Sequence, residues 1–336
     1  MNKTRSKKLN IVILILITIL VLYFSLKDNF KEVIYQIMNM EYIYLLFAFV
    51  CLFIFLTFKS LSIYSFGKKI NKDFKFIQAI QLVLRTQFFN AVTPFATGGQ
   101  PYQIYYLKHC GMDYANSTSI VLQNFIVYQI ALVILGLIAL FTNQIFDVFN
   151  SSKLLARLIA LGFIINTLVI VIMFVVAFST KLNKKIIGLG IKILTKLKLV
   201  KDKDKKLKDW DTNINEFHSS AKKLLDDKKT FIGNILYNFI ALCSLYIIPL
   251  FVLYAMGQFN VISAGITIVA SAYVMIIGSF VPIPGGSGGL EFGFITFYGN
   301  FIGGSKLSAL MLVWRFITYY FSLILGAIAL NIKKVK

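Results

Sequence analysis

Histidine, cysteine and acidic residues are scarce in this chain of 336 residues. Of its 2 histidines, His109 and His218, neither has an acid–base partner at readable spacing. No HExxH, P-loop or GxSxG run occurs, so the usual sequence marks of metalloproteases, NTPases and serine hydrolases are missing. The 3 cysteines, Cys51, Cys110 and Cys243, are far apart and odd in number. That pattern points to neither a disulfide framework nor a zinc site, and no cofactor or metal is expected. Asp and Glu number 14 against 35 Lys and Arg, a net charge of +21. The cations cluster between apolar runs, where membrane orientation and anionic lipid headgroups account for them better than nucleic acid does.

Apolar residues, by contrast, make up 58% of the chain, with a mean hydropathy of +0.76. Soluble domains hold about 45–50%. The composition predicts an all-α, polytopic integral membrane protein, multi-pass in the cell membrane. Uncharged runs cover residues 9–26, 42–58, 114–146, 158–180 and 230–290. A last one, residues 316–332, belongs to a helix expected to begin near Leu307. The first run follows Lys3, Arg5, Lys7 and Lys8. It is longer than a signal h-region and no small-residue cleavage site follows, so it reads as an uncleaved span. Six full spans result.

Two breaks rich in glycine and proline interrupt this apolar sequence: TPFATGGQP at residues 93–101 and VPIPGGSGGLE at 281–291. Backbone that leaves the helix at membrane depth is tolerated only where protein buries it or it lines a cavity. Lys and Arg set the orientation. The segment 59–75 carries five Lys, and the loop 181–229 carries 15 Lys with seven acids, so both read as cytoplasmic. The loop 27–41, with two Lys and three acids, reads as external. A single crossing by residues 76–107 would force the most basic loop outside. Its first arm, residues 76–90, is also about 22 Å long as helix, against about 30 Å of hydrocarbon. The region is therefore expected to enter and return on the cytoplasmic side. Residues 261–304 are expected to do the same from outside, and both termini come out cytoplasmic.

Each half then holds two spans, a re-entrant pair of half-helices and a third span. Three crossings per half invert the second half relative to the first. The expectation is one membrane domain, residues 1–336, with repeat halves at about 9–146 and 154–332. Inverted repeats with broken helices are how many secondary transporters build a substrate site; accidental symmetry is the competing explanation. Within the basic loop, Leu182, Ile186, Leu189, Ile193 and Leu197 form one helical stripe suited to the membrane interface. Leu207, Trp210, Ile214, Phe217, Ala221 and Leu224 mark a second amphipathic helix, for which packing on neighbouring spans is the plainer alternative.

Arg85, Glu291 and Arg315 fall in or beside apolar sequence, where an ionised group is costly and usually faces a cavity or a partner. Glu291 opens the half-helix after the second break, and Arg315 is within reach of it; a purely architectural pair is the competing reading. Gln81, Gln87, Asn90, Thr93, Thr97, Gln100 and Gln103 make the first broken region polar, and Gln123, Asn124 and Gln129 add amides. The half-helices after Gly99 and Gly289 offer N–H groups to an anion such as a lipid phosphate. The candidate headgroup site comprises Arg85, Asn90, Thr93, Pro94, Gly98, Gly99, Gln100 and Gln123 from the first half. From the second come Pro282, Pro284, Gly285, Gly286, Gly288, Gly289, Glu291 and Arg315. Arg85 and Arg315 are expected to hold phosphate, with Glu291 orienting Arg315 or meeting a lipid amine.

FFNAVTPFATGGQPYQIYYLK, the following SIVLQNFIVYQ, and PIPGGSGGLEFGF with LMLVWRF resemble the membrane domain of lysylphosphatidylglycerol synthases, a flippase-like family. The resemblance runs from the first span to Ile332. It implies a translocase for aminoacylated or anionic phospholipid such as lysylphosphatidylglycerol, contributing to resistance against cationic antimicrobial peptides. Synthases of this family carry a C-terminal lysyltransferase domain, and with the sequence stopping at Lys336 that domain is not expected here. The alternative is a phosphatidylglycerol lysyltransferase using lysyl-tRNA, or the membrane subunit or scaffold of a separate lipid-modifying enzyme. Family members commonly carry Glu and then Arg after the first Gly-Gly, where this chain has Gln100 and Gln103. That departure weakens the case for a lysyl-lipid. Glu291 and Arg315 match the second motif.

Overall fold

The computed structural model describes residues 30–149, 153–179, 203–278 and 281–332, together with Lys185. The expected first span at residues 9–26 and the interfacial stripe at 181–200 lie outside the described residues, Lys185 excepted. Every regular element among the described residues is helical. In chain order they are α1 (Phe30–Met38), α2 (Tyr42–Ile70), α3 (Phe76–Ala91), α4 (Gly99–His109), α5 (Tyr114–Phe146) and α6 (Lys153–Phe178). There follow α7 (Lys203–Asp226), α8 (Lys228–Tyr246), α9 (Ile248–Ala255), α10 (Ala264–Gly278), α11 (Gly289–Tyr298), α12 (Gly304–Arg315) and α13 (Ser322–Asn331). Among the described residues, four helical stretches are long and apolar enough to cross a membrane: Tyr42–Ile70, Tyr114–Phe146, Lys228–Ala255 and Gly304–Asn331.

Local chemistry explains the starts and breaks. Asp113 caps α5 by accepting the Asn116 N–H at 2.7 Å, and Asp227 caps α8 through the Thr230 N–H at 3.1 Å. Pro249 lacks an N–H and interrupts the stretch between α8 and α9. A π-helical turn, Phe316–Phe321, joins α12 to α13.

The end of α2 corrects the sequence reading. Residues 59–75 were expected to be a cytoplasmic segment, yet the helix continues past Lys59 to Ile70, with Ile63 and Phe66 fully buried. Lysine is a good helix former, and the Lys59 side chain lies in a cleft described below.

Both broken regions are antiparallel hairpins. In the first, the Tyr106 hydroxyl donates to Gln81 Oε1 at 3.0 Å, and Gln103 Nε2 donates to Thr86 Oγ1 at 3.4 Å. Nearer the turn, the Phe89 and Tyr102 rings stack with centroids 4.3 Å apart. Later residues of α4 thus meet earlier residues of α3. In the second, the hydroxyls of Ser271 and Tyr298 lie 2.8 Å apart, and Tyr273 meets Phe297 at 5.2 Å between ring centroids. At roughly 1.5 Å per residue, none of these four arms reaches the ~30 Å of a hydrocarbon core.

The hairpin tips pack on each other. Around them α2 packs on α8, α3 on α13, and α10 on α5. Further out, α1 packs on α12 and α7 on α5. The amphipathic helix expected from Leu207 onward is α7, and its Ile214, Phe217 and Ala221 are buried against the bundle. At one end of the central pair, Lys69 and Asp227 form an ion pair of 2.5 Å. The Lys69 ammonium, then the Thr230 N–H, hold the Asp227 carboxyl down at about 2. At the other end, the Glu41 N–H donates to the Ala255 carbonyl at 2.8 Å.

Candidate functional site

The two tips open on the same backbone turn. Each begins with a proline at a single 3-10 turn, Pro94–Ala96 and Pro284–Gly286, and leads through a Gly-Gly pair into a half-helix. The two residues after each proline have positive φ: 52° at both Phe95 and Ala96, and 69° and 62° at Gly285 and Gly286. Glycine adopts such angles without steric cost, whereas Phe and Ala do not. Thr93 ties the first tip shut, donating to the Phe89 carbonyl at 2.7 Å and accepting the Gly98 N–H at 2.9 Å. Close approach explains Gly99: a Cβ there would lie 2.1 Å from Asn90 Oδ1.

Beside the tips lies a cavity of about 490 Å³, within the range of small-molecule sites. Both hairpins line it, as do α2, α5, α6, α8 and the α12–α13 stretch. From the expected site it takes Asn90, Gly99, Gln100, Gly285 and Gly286, with the amides Gln87, Gln103, Asn124 and Gln129. Asn90 Oδ1 is buried without a hydrogen-bond partner among the described residues. A small neighbouring void of about 20 Å³, which shares Leu132, Asn166, Tyr246 and Met275 with the cavity wall, has room for about one water.

Arg85 does not line this cavity. Its Nε donates to the Ala329 carbonyl at 2.9 Å and its Nη2 to the Ile332 carbonyl at 2.7 Å. It thereby satisfies carbonyls at the C-terminus of α13, where a cation is favourable. The phosphate-holding role expected of it does not match this geometry. Gly326 lets α13 come close enough, since a Cβ there would lie 2.8 Å from the Leu84 carbonyl oxygen.

Arg315 and Glu291 are paired, as expected, at 2.7 Å between Nε and Oε1, and both are buried. Neither lines the cavity. Arg315 Nη2 also donates to the Gly285 carbonyl at 2.7 Å and meets Ser287 Oγ at 3.3 Å. The second carboxylate oxygen, Glu291 Oε2, accepts the Gly288 N–H at 2.6 Å. The pair clamps the second tip from behind, which is the architectural reading. Thr93, Pro94, Gly98, Pro282, Pro284, Gly288 and Gly289 likewise shape the tips without lining the cavity. Gln123 is fully buried, and neither of its amide atoms has a partner among the described residues.

Lys59 is the cavity-lining cation that the sequence reading missed. It lines the cavity about 16 Å along the axis from the end of α2, and among the lining residues it is the one charged side chain. Its Nζ donates to Asn238 Oδ1 at 3.0 Å and lies 4.1 Å from the centroid of the Tyr128 ring. Asn238 Nδ2 donates to Ser62 Oγ at 2.9 Å, and Ser62 Oγ donates to Asn124 Oδ1 at 2.7 Å. This chain of polar side chains joins α2, α8 and α5. The signal was there to read: eight uncharged residues, 60–67, follow Lys59 before the next lysine.

The fold and the cavity define a membrane protein, helical throughout its described residues, whose broken hairpins border a largely uncharged chamber lined by apolar side chains and amides. The family described as the lysylphosphatidylglycerol synthase TM region matches residues 11–326, and the chain belongs to that family. It is also 24% identical over 278 residues to a UPF0104 membrane protein of Archaeoglobus fulgidus, covering 78% of this chain and 77% of the relative.

Proposed function

We propose that the protein is a flippase-like lipid translocase that passes an anionic or aminoacylated phospholipid between leaflets through this cavity. The observation that carries the reading is the cavity itself, built where two helix-breaking tips meet and walled by both amides and apolar side chains. A chamber of that kind takes a polar headgroup while leaving acyl chains to the bilayer.

An inverted repeat with two re-entrant hairpins is part of the reading. Equivalent elements exchange equivalent partners: α3 packs on α13 where α10 packs on α5, and α1 packs on α12 where α7 packs on α5. The two central helices and the two tips pack on their own counterparts, as elements at a two-fold axis do. The Lys69–Asp227 pair brings the lysine-rich end of α2 to the start of α8, beside the basic loop. That supports one cytoplasmic face for both lysine clusters.

Reconstitution tests the function. The full chain is placed in vesicles containing phosphatidylglycerol with a fluorescent acyl chain, and an impermeant quencher is added. Translocation exposes the inner-leaflet probe, so quenching approaches completion. Quenching confined to the outer leaflet, with folded protein present, rejects the reading.

A further inference from the structure

We propose that Lys59 is the phosphate anchor of the cavity, so that the protein takes lipids with a net anionic headgroup and disfavours a lysyl-type cationic one. The proposal rests on the lipid reading above and names its substrate class.

Charge carries the argument. No Asp or Glu lines the cavity among the described residues, and Lys59 has no carboxylate partner there. An ammonium has three N–H donors. One goes to Asn238, the Tyr128 ring takes up part of the charge, and no other hydrogen-bond partner is present among the described residues. Lys59 is partly buried, and a cation even partly withdrawn from water without a counter-charge is costly. A phosphate beside Lys59 relieves that cost through charge-assisted hydrogen bonds. A lysyl headgroup, bringing its own ammonium groups, adds to it.

The remaining intramembrane charges do not alter this balance. The charge of Arg315 is matched by Glu291, and Arg85 is spent on helix carbonyls. The backbone adds to the positive field. Gly99 and Gln100, the first residues of α4, line the same cavity. The N-cap N–H is taken at both half-helices, at Gly98 by the neutral Thr93 hydroxyl and at Gly288 by Glu291, so only the α11 end carries a negative charge. The Asn238–Ser62–Asn124 chain fixes the direction of the lysine side chain without neutralising it.

The test measures displacement of a fluorescent dioctanoyl phosphatidylglycerol from the full chain in neutral-lipid nanodiscs. Competitors are dioctanoyl phosphatidic acid, dioctanoyl lysylphosphatidylglycerol, dioctanoyl phosphatidylcholine and inorganic phosphate. For the wild type, phosphatidic acid should compete at least about tenfold better than the lysyl or choline lipids, the scale of one charge-assisted hydrogen bond. Lys59→Gln should remove that preference and Lys59→Arg retain it, with melting temperatures measured alongside to establish folding. A wild type that prefers the lysyl lipid, or a folded Lys59→Gln protein that keeps the anionic preference, overturns the anchor and leaves the translocase reading standing. Competition by inorganic phosphate as strong as by phosphatidic acid keeps Lys59 as a phosphate site but makes the ligand free phosphate. Failure of every lipid to bind overturns both readings.

Discussion

The three intramembrane charges that stand out in the sequence, Arg85, Glu291 and Arg315, all have their partners within the protein. Lys59, the residue that ends an apolar run, is the cation that meets the cavity. The difference is local compensation. Arg315 meets a carboxylate and a backbone carbonyl, and Arg85 meets two carbonyls, so their desolvation is offset inside the fold. Breaking such a pair strands its partner, at about 3–5 kcal/mol for a buried ion. Glu291→Gln and Arg315→Gln are each expected to lower the melting temperature in detergent clearly. The double substitution should recover part of the loss, because neither charge is then stranded. Single variants as stable as the wild type would show that the pair does not clamp the tip.

Among the elements, the tips write one left-handed turn in different residues and then diverge, with φ −76° at Gly98 and 88° at Gly288. Where the second tip uses Gly285 and Gly286, the first places Phe95 and Ala96 in the same left-handed region. That conformation costs an L-residue about 1–2 kcal/mol. Phe95 lines the cavity and is 57% exposed, so strain is retained at the lip of the chamber, as at many binding sites. Ala96→Gly should therefore raise stability by roughly 0.5–1 kcal/mol, the relief of strain less the added chain entropy of glycine. Gly285→Ala should lower it, since the new Cβ would lie 2.5 Å from the Tyr319 ring. Thermal unfolding of both variants checks the signs. A less stable Ala96→Gly protein would mean that strain is absent at the first tip.

For the whole molecule, the Lys69–Asp227 contact sets the lysine-rich end of α2 beside the junction of α7 and α8, and we propose that this face is cytoplasmic. After replacement of Cys51, Cys110 and Cys243, a cysteine at Lys205 should react with an impermeant reagent only once cells are opened. A cysteine at Lys306 should react in intact cells. Labelling of position 205 in intact cells would reject the inverted arrangement.

Composition and periodicity determined the helical membrane class, the two breaks and the amphipathic α7. Each depends on contacts within a helix or on the solvent that a segment needs, and such preferences are local. Only the tertiary structure decided which polar groups are spent and which remain. Whether Arg85 holds a ligand or caps a helix depends on carbonyls more than two hundred residues away, at Ala329 and Ile332. Lys59 gains its role because α5 and α8 bring Tyr128 and Asn238 to it while bringing no carboxylate. Electrostatic compensation is a property of the packed neighbourhood, and spacing along one chain does not contain it.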